Sequence, residues 1–540
     1  MWYKMDYKLI HKKGLSRKIG VVGIAILAIA ILFSAIFFTQ PTRPKVKSSV
    51  VYAYVSDFPT LDPCIAFEDE QVILANVYEA LVFYNSSNPS SPLTPWLATS
   101  WNYSQDGLVW TFNLRKSVLF HDGTPFNAEA VKYSVERTKR MGLGAAYIWD
   151  PVKEIQVVDD YTIKFILQYP APLAQIASSQ YGAWIFSPKI PSNDTDATEW
   201  FNQGKDAGTG AFTIESYEAG FQIVLKRFDK YWRGWSGNHI EKVLIKTVRD
   251  PTARLQAIKA GEADFTVDLP VDYLPELKDN PNVKVLAVPS YRNLLGMINT
   301  KRAPTDNVLV RQALAYAFPY DAVVKNVMQN YATQSKGPIP IGMIGYFEDM
   351  PHYTYNLTKA KELLEKAGYP NGGLTIILTY TSGDQLEKQV AELYKAELEK
   401  LGITLDIREM TTKAKYSLAR GDPKEAQHIL LFYWWPTYIT PYDFLYSLFH
   451  SEEKVIFNFA YYYNSTYDNL IDTASRLEGT DLDKALQLYR KAQEQVIKDC
   501  AALFIIDMDT IMVVNSKVHN FKPNSAYTEV VFFYDIWVET

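Results

Sequence analysis

The densest group of residues equipped for chemistry in this chain is Tyr433-Trp434-Trp435-Pro436-Thr437-Tyr438-Ile439-Thr440-Pro441. It offers indole and phenol faces for stacking and hydroxyls for hydrogen bonding, but no charge. That set suits capture of an uncharged polyol, whose apolar ring faces lie on aromatics while its hydroxyls find partners. Neighbouring side chains on a strand point to opposite faces, so one of the two adjacent Trp residues is expected in the core.

No reaction is legible elsewhere. The chain has no HExxH, GxSxG, Walker A or GxGxxG pattern. Its seven histidines, at 11, 121, 239, 352, 428, 450 and 519, have no metal-ligand spacing. Carboxylate pairs for glycoside hydrolysis could come from any of the 60 acids. An anchored secreted hydrolase is therefore the alternative of a different class. The two cysteines, Cys64 and Cys500, form no CxxC motif and are either one long-range disulfide or two inert thiols. No cofactor or metal is expected.

The elements that must carry such a site belong to a large mixed protein. At 540 residues, with 48 % hydrophobic and 21 % charged positions, the chain is too long for one core and neither disordered nor polytopic. Residues 1–18 carry net +5 within a chain of net −5, leaving −10 for the rest, which argues against a nucleic-acid partner. Ile19 to Phe38 is an uncharged apolar run, long enough to cross about 30 Å of hydrocarbon as a helix. The cations before it (Lys12, Lys13, Arg17, Lys18) place the remainder outside the cell. Residues 39–49 read as a polar, proline-containing linker. Sequons at Asn85, Asn102, Asn193, Asn356 and Asn464 are usable acceptors in an exported chain.

Within the folded part, residues 50–55 read as a strand and 70–82 as a largely buried helix. Val109 to Arg115 alternates as a strand, and Asn127 caps a helix that stops at Gly142. Residues 155–167 form a hairpin pattern about Asp159-Asp160, and two further strands follow Gly208-Thr209-Gly210. Residues 374–407 read as a β-α-β unit whose helix, 385–401, carries Leu386, Val390, Leu393 and Leu401 on one face. Such parallel units bind ligands beyond the carboxyl ends of their strands, which makes the end of this unit a cleft wall.

Motifs along most of the chain resemble those of the peptide/nickel type, family 5, of extracellular solute-binding proteins, the receptors of ABC importers. In family order they include Leu61-Asp-Pro63, Val77-Tyr-Glu-Ala-Leu81, Trp96-Leu-Ala98, Phe120-His-Asp-Gly-Thr-Pro125, Gly208-Thr-Gly210, Tyr231-Trp232, Gly261-Glu-Ala-Asp264 and Val310-Arg-Gln-Ala-Leu-Ala315. The resemblance implies an α/β, two-lobed periplasmic-binding-protein-like fold of type II, cluster C, with an extra inserted domain. Carried to this numbering, lobe I is 48–90, 206–300 and 505–540, lobe II is 91–205, and lobe III is 301–504. Lys13-Gly14-Leu15-Ser16, before the apolar run, resembles a class III, pilin-like signal of archaeal surface binding proteins. That class is cleaved after the glycine and keeps the helix as an anchor.

The resemblance also implies a role for the aromatic stretch. It is similar to the family's Trp-x-x-Asp-Tyr-x-Asp-Pro segment, in which the first Asp of peptide-binding members faces the ligand's ammonium. Here the two positions are Thr437 and Thr440. A hydroxyl cannot replace a charge-assisted bond to a desolvated ammonium, so an oligosaccharide fits at least as well as a peptide. The expected ligand contacts are Trp434, Trp435, Thr437 and Tyr438, with the loop Phe67-Glu68-Asp69 facing them from lobe I. The function implied is capture of a short oligopeptide or oligosaccharide outside the cell and delivery to a permease driven by ATPase subunits. A nickel or haem receptor of the same family is the nearer alternative.

Overall fold

The computed structural model describes residues 45–88 and 91–540. The basic segment 1–18, the apolar run 19–38 and the site at Gly14 lie outside the described residues. Among the described residues no helix is long and apolar enough to cross a membrane. Residues Lys47–Val538 form one unit. Of the second, smaller unit the described residues are 45–46 and 539–540, where Val46 bridges Glu539.

Seven strands position the site: β1 (Ser49–Tyr54), β2 (Phe265–Val267), β3 (Val283–Ile298), β4 (Thr375–Thr381), β5 (Thr404–Met410), β6 (Ile429–Trp434) and β7 (Ala502–Asn515). They lie side by side in the order β5-β4-β6-β3-β7-β2-β1, and the sheet continues through Lys242–Thr247, Gln222–Arg227 and Phe212–Glu218. Both neighbours of β1 are parallel to it. Such a strand is covered on both faces, which explains why Val50, Tyr52, Ala53 and Tyr54 are all buried.

The long strands β3 and β7 run antiparallel through the middle. Their register holds from Val283↔Asn515 to Pro289↔Asp509, breaks, and resumes at Asn293↔Asp507. Pro289 has no N–H to donate, so the ladder lapses where it stands. On one side of the break β7 pairs with β2, and on the other β3 pairs with β6. The β3–β7 ribbon thus joins the β1 half of the sheet to the β4–β6 half.

Four helices complete the frame. The first, α1 (Gln71–Val77), is shorter than the 70–82 read from the sequence. At Tyr78 the backbone turns extended, and Val82–Tyr84 pairs with Leu93–Pro95 instead. A largely apolar run satisfies a buried helix and a buried strand equally, so periodicity does not mark the switch. In α2 (Ala128–Met141), Asn127 Oδ1 accepts from Ala130 N at 3.0 Å, and Gly142 ends the helix at φ 61°. The unit β4-α3-β5, with α3 (Gln385–Glu399), is parallel as expected. Its buried face is Val390, Ala391, Tyr394 and Leu398, however, while Leu386, Leu393 and Leu401 are only partly covered. Tyr394 wins the central position because its hydroxyl donates to Leu314 O at 2.8 Å, which satisfies the polar end of a large apolar group. The fourth helix, α4 (Pro441–Phe449), follows the aromatic stretch, with Thr440 as its N-cap.

Residues 98–167 hold a separate four-stranded antiparallel sheet that includes the hairpin Val152–Asp159/Thr162–Leu167. Cys64 and Cys500 are free and buried. Cys64 accepts from Thr138 Oγ1 and Cys500 donates to Arg311 O. Burial pushes both thiols up to about 12.

Candidate functional site

Several of the recurring sequence motifs converge on one buried carboxylate. Glu79 accepts from Trp96 Nε1 at 2.8 Å, Thr209 Oγ1 at 2.7 Å, Tyr231 OH at 2.9 Å and Trp232 Nε1 at 3.0 Å. The glycines beside Thr209 are dictated by the same contact. A Cβ on Gly208 would lie 1.9 Å from Val77 O, and one on Gly210 would lie 2.5 Å from Asn76 O. His121 is held between Asp206 and Gly210 O. These residues fasten loops to the sheet, since a carboxylate this deep persists only with its lone pairs engaged.

The chemistry gathers at the register break of the β3–β7 ribbon, beside the residues that follow β2 and β4. Arg292, at the register break of β3, lines a cavity of about 150 Å³ with Glu68, Asp69, Tyr181, Trp435 and Glu529. A larger cavity of about 720 Å³ shares Arg292, Thr528 and Glu529 with it. The larger one is also lined by Asp268, Asp384 and Tyr433. Asp384 and Gln385 follow the carboxyl end of β4, the position that the β-α-β reading assigned to a cleft wall.

The cleft is built from opposed charges with acids in excess. The Arg292 guanidinium stacks over Tyr433 at 4.4 Å and reaches Trp435 at 5.8 Å, yet its Nε has no hydrogen-bond partner. Burial alone would depress its pKa, but Tyr433 and the Asp268, Glu529 and Asp384 carboxylates outweigh that and raise it. Burial pushes Glu68 up to about 7, with Asp69 and Glu70 adding to the rise. Burial raises Asp268 and Glu529 as well, and the Asp69 carboxylate adds to both. Both of these acids sit in the left-handed region, at φ 50° and φ 66°. Such backbone persists only where the surroundings over-determine it, and it concentrates at functional positions. Tyr54 OH fixes Glu529 Oε2 at 2.7 Å, and Tyr433 OH fixes Asp384 Oδ2 at 2.9 Å.

The six residues expected to contact ligand separate into groups. Glu68 and Trp435 line the small cavity. Phe67 stands behind it, edge-on to Tyr181 at 5.2 Å. Trp434 is buried against Phe457, and of the two adjacent indoles it is the one in the core. Thr437 is also buried. Its Oγ1 lies 2.5 Å from Tyr147 OH, and its carbonyl accepts from Ser179 Oγ at 2.6 Å. Tyr438 is buried and faces a different cavity. Sequence reasoning missed Arg292, Asp268, Asp384 and Glu529. The only signal near any of them is the β-α-β unit that delivers Asp384. Among the described residues no group of three or more His, Cys, Asp or Glu side chains is placed to hold a metal ion.

This architecture defines the class. The structure of the periplasmic binding protein DppA from Helicobacter pylori, in complex with the peptide STSA, is similar to it with a TM-score of 0.78 at 27 % identity. The match covers 92 % of this chain and 99 % of that one. The fold is therefore that of the periplasmic binding proteins, in a mixed α/β form. Residues 92–455 match the model of the bacterial extracellular solute-binding proteins, family 5. The chain is 30 % identical over 500 residues to the probable D,D-dipeptide-binding periplasmic protein DdpA of Escherichia coli K12, covering 90 % of this chain and 93 % of that protein. It is 28 % identical over 479 residues to the glutathione-binding protein GsiB of Pectobacterium atrosepticum, covering 86 % and 90 %. The chain belongs to the family 5 extracellular solute-binding proteins.

Proposed function

We propose that the chain is the receptor of an ABC importer for a short, zwitterionic peptide. The observation that carries this reading is Arg292, whose Nε is unpartnered and which lines the same cavities as Glu68, Asp69, Asp268 and Glu529. The ligand's carboxylate goes to the guanidinium, which presents a planar fork for it. Its ammonium goes to the acids opposite, which supply the charge that Thr437 lacks. The peptide or glutathione named for DppA, DdpA and GsiB supports the same class of ligand.

In this reading 48–90, 206–300 and 505–540 form lobe I, 91–205 form lobe II and 301–504 form lobe III. The β3–β7 ribbon is the hinge, because its register break leaves few ladder bonds to resist bending. Lobe III closes over the ligand, and the closed form docks on a membrane permease served by ATPase subunits. The apolar run 19–38 holds the folded part outside the membrane.

The test is calorimetry and thermal shift on the full-length chain in detergent, with di- to pentapeptides and α- and β-linked oligosaccharides. A peptide present at about 100 times its Kd stabilises the protein by about 2.7 kcal/mol. Arg292→Gln should weaken peptide binding by about 100-fold, the effect of removing one partner of a desolvated charge pair. Binding of N-acetylated peptides as tightly as free ones would sink the assignment of the acids. Binding of oligosaccharides, with loss on Trp435→Ala, would replace the peptide reading altogether.

A further inference from the structure

Another cavity, of about 340 Å³, lies between residues 147–151 and 169–172 on one side and α4 on the other. Its lining shares no residue with the Arg292 cleft. The segment 435–438 runs from one to the other. Trp435 lines the cleft, Tyr438 lines this cavity, and Thr437 between them is clasped by Tyr147 and Ser179. Ligand in one cavity therefore does not occupy the other.

The walls are phenolic. Tyr147, Tyr169, Tyr438, Tyr442 and Tyr446 all face in, and Tyr442 and Tyr446 stack at 4.8 Å. The charged groups are all acidic: Asp150, Asp443 and Glu452, with Ser447 and Ser475 as neutral polar neighbours and no Lys, Arg or His in the lining. Asp443 is 3 % exposed and its Oδ2 has no partner within hydrogen-bond distance; burial pushes it up to about 7 although Thr437 and Trp434 work the other way, so a cation is what would hold it ionised. Two nearby bases are committed elsewhere: Lys139 donates to Trp149 O and Val152 O, and Arg420 Nε to Ile456 O. His450 stacks on Tyr446 at 4.4 Å, with its Nε2 3.3 Å from Asp472. The rim is open, with Tyr169 41 % and Ile456 53 % exposed. A carboxylate out of water is tolerated only with a compensating partner, and aromatic faces attract cations through their negative quadrupole.

We propose that this cavity is a second ligand site, specific for an organic cation that carries an apolar group, its charge held at Asp443 and its body among the tyrosines. It is independent of the peptide reading, because none of its residues belongs to the Arg292 cleft.

Calorimetry on the full-length chain in detergent tests it, with benzylamine and benzyltrimethylammonium as probes and benzyl alcohol as the neutral control. Both cations should bind one site in the millimolar range or tighter, and the alcohol about tenfold more weakly or not at all. Asp443→Asn should weaken the cations about tenfold, and so should Tyr169→Ala, on a different element and at the exposed rim, should the buried variant fail to fold. Arg292→Gln should leave their affinity unchanged. Equal binding of cation and alcohol would overturn the proposal. So would indifference to both cavity variants, or loss of cation binding in Arg292→Gln, which would place the cation in the main cleft. Absence of any cation binding to the wild-type chain would overturn it as well.

Discussion

Asp507 lies where the β3–β7 register resumes, opposite Asn293. Its carboxylate accepts from Ser335 Oγ and from Ile341 N at 2.9 Å, in a fully buried position without a paired cation. Burial pushes it from an ordinary 3.8 up to about 7, although both hydrogen bonds work the other way. The folded state therefore holds this proton more tightly than the unfolded chain. The stability it contributes is complete below the unfolded value near 4 and is lost as pH rises through 7. Each pKa unit is worth about 1.4 kcal/mol, so a rise of about three units amounts to about 4 kcal/mol across that window. Asp507→Asn keeps the shape and both hydrogen bonds, with its oxygen toward Ile341 N and its amide toward Ser335, and cannot ionise. Urea unfolding of both proteins from pH 4 to 8 should give curves that diverge, the wild type losing about 4 kcal/mol relative to the variant as pH rises. Parallel curves would refute the reasoning, since they would mean that the carboxylate is solvated or already ionised in the fold.

Two further outcomes follow from buried groups. Arg137 and Asp62 are both fully buried and joined by two bonds of 2.7 Å, so Arg137→Met strands a carboxylate and should lower stability by about 3–5 kcal/mol in denaturant titrations. A loss under about 1 kcal/mol would mean that Asp62 simply takes up a proton. With both thiols buried and raised to about 12, the native chain should be inert to a thiol-specific reagent at pH 8 and should release two equivalents on unfolding. Rapid modification of the native protein would contradict the burial of Cys64 or Cys500.

Where local chemistry decides structure, the sequence was readable. The Asn127 cap and the Gly142 stop each follow from residues within one or two turns of each other, and the β4-α3-β5 unit from consecutive runs within 375–410. Where distant packing decides, it was not. The turn at Tyr78 depends on what surrounds Glu79, and the buried face of α3 depends on a carbonyl at Leu314. The site divides the same way. Glu68 and Trp435 were reached through resemblance, whereas Asp384 was not named, although the β-α-β unit pointed to the end of the sheet where it lies. Arg292 and Glu529 meet from positions 237 residues apart, and no local pattern marks either. The left-handed backbone of Asp268 and Glu529 has no signature, because neither residue is a glycine. Thr437 shows the converse. Its neighbours Tyr147 and Ser179 lie more than 250 residues earlier in the chain, so a residue read as ligand-facing joins two distant segments instead.

The pairing of β2 with β7 also bears on how such a chain is made. Phe265 lies against Val514, so a strand completed at mid-chain waits for one of the last to be synthesised. At roughly 5–20 residues per second, that interval is on the order of tens of seconds. Throughout it β2 has β1 on one side and an unfilled row of N–H and C=O groups on the other. A chain in transit is thus kept from maturing until its final stretch emerges, and one that stops short of Ala502 leaves that row open to whatever strand arrives first.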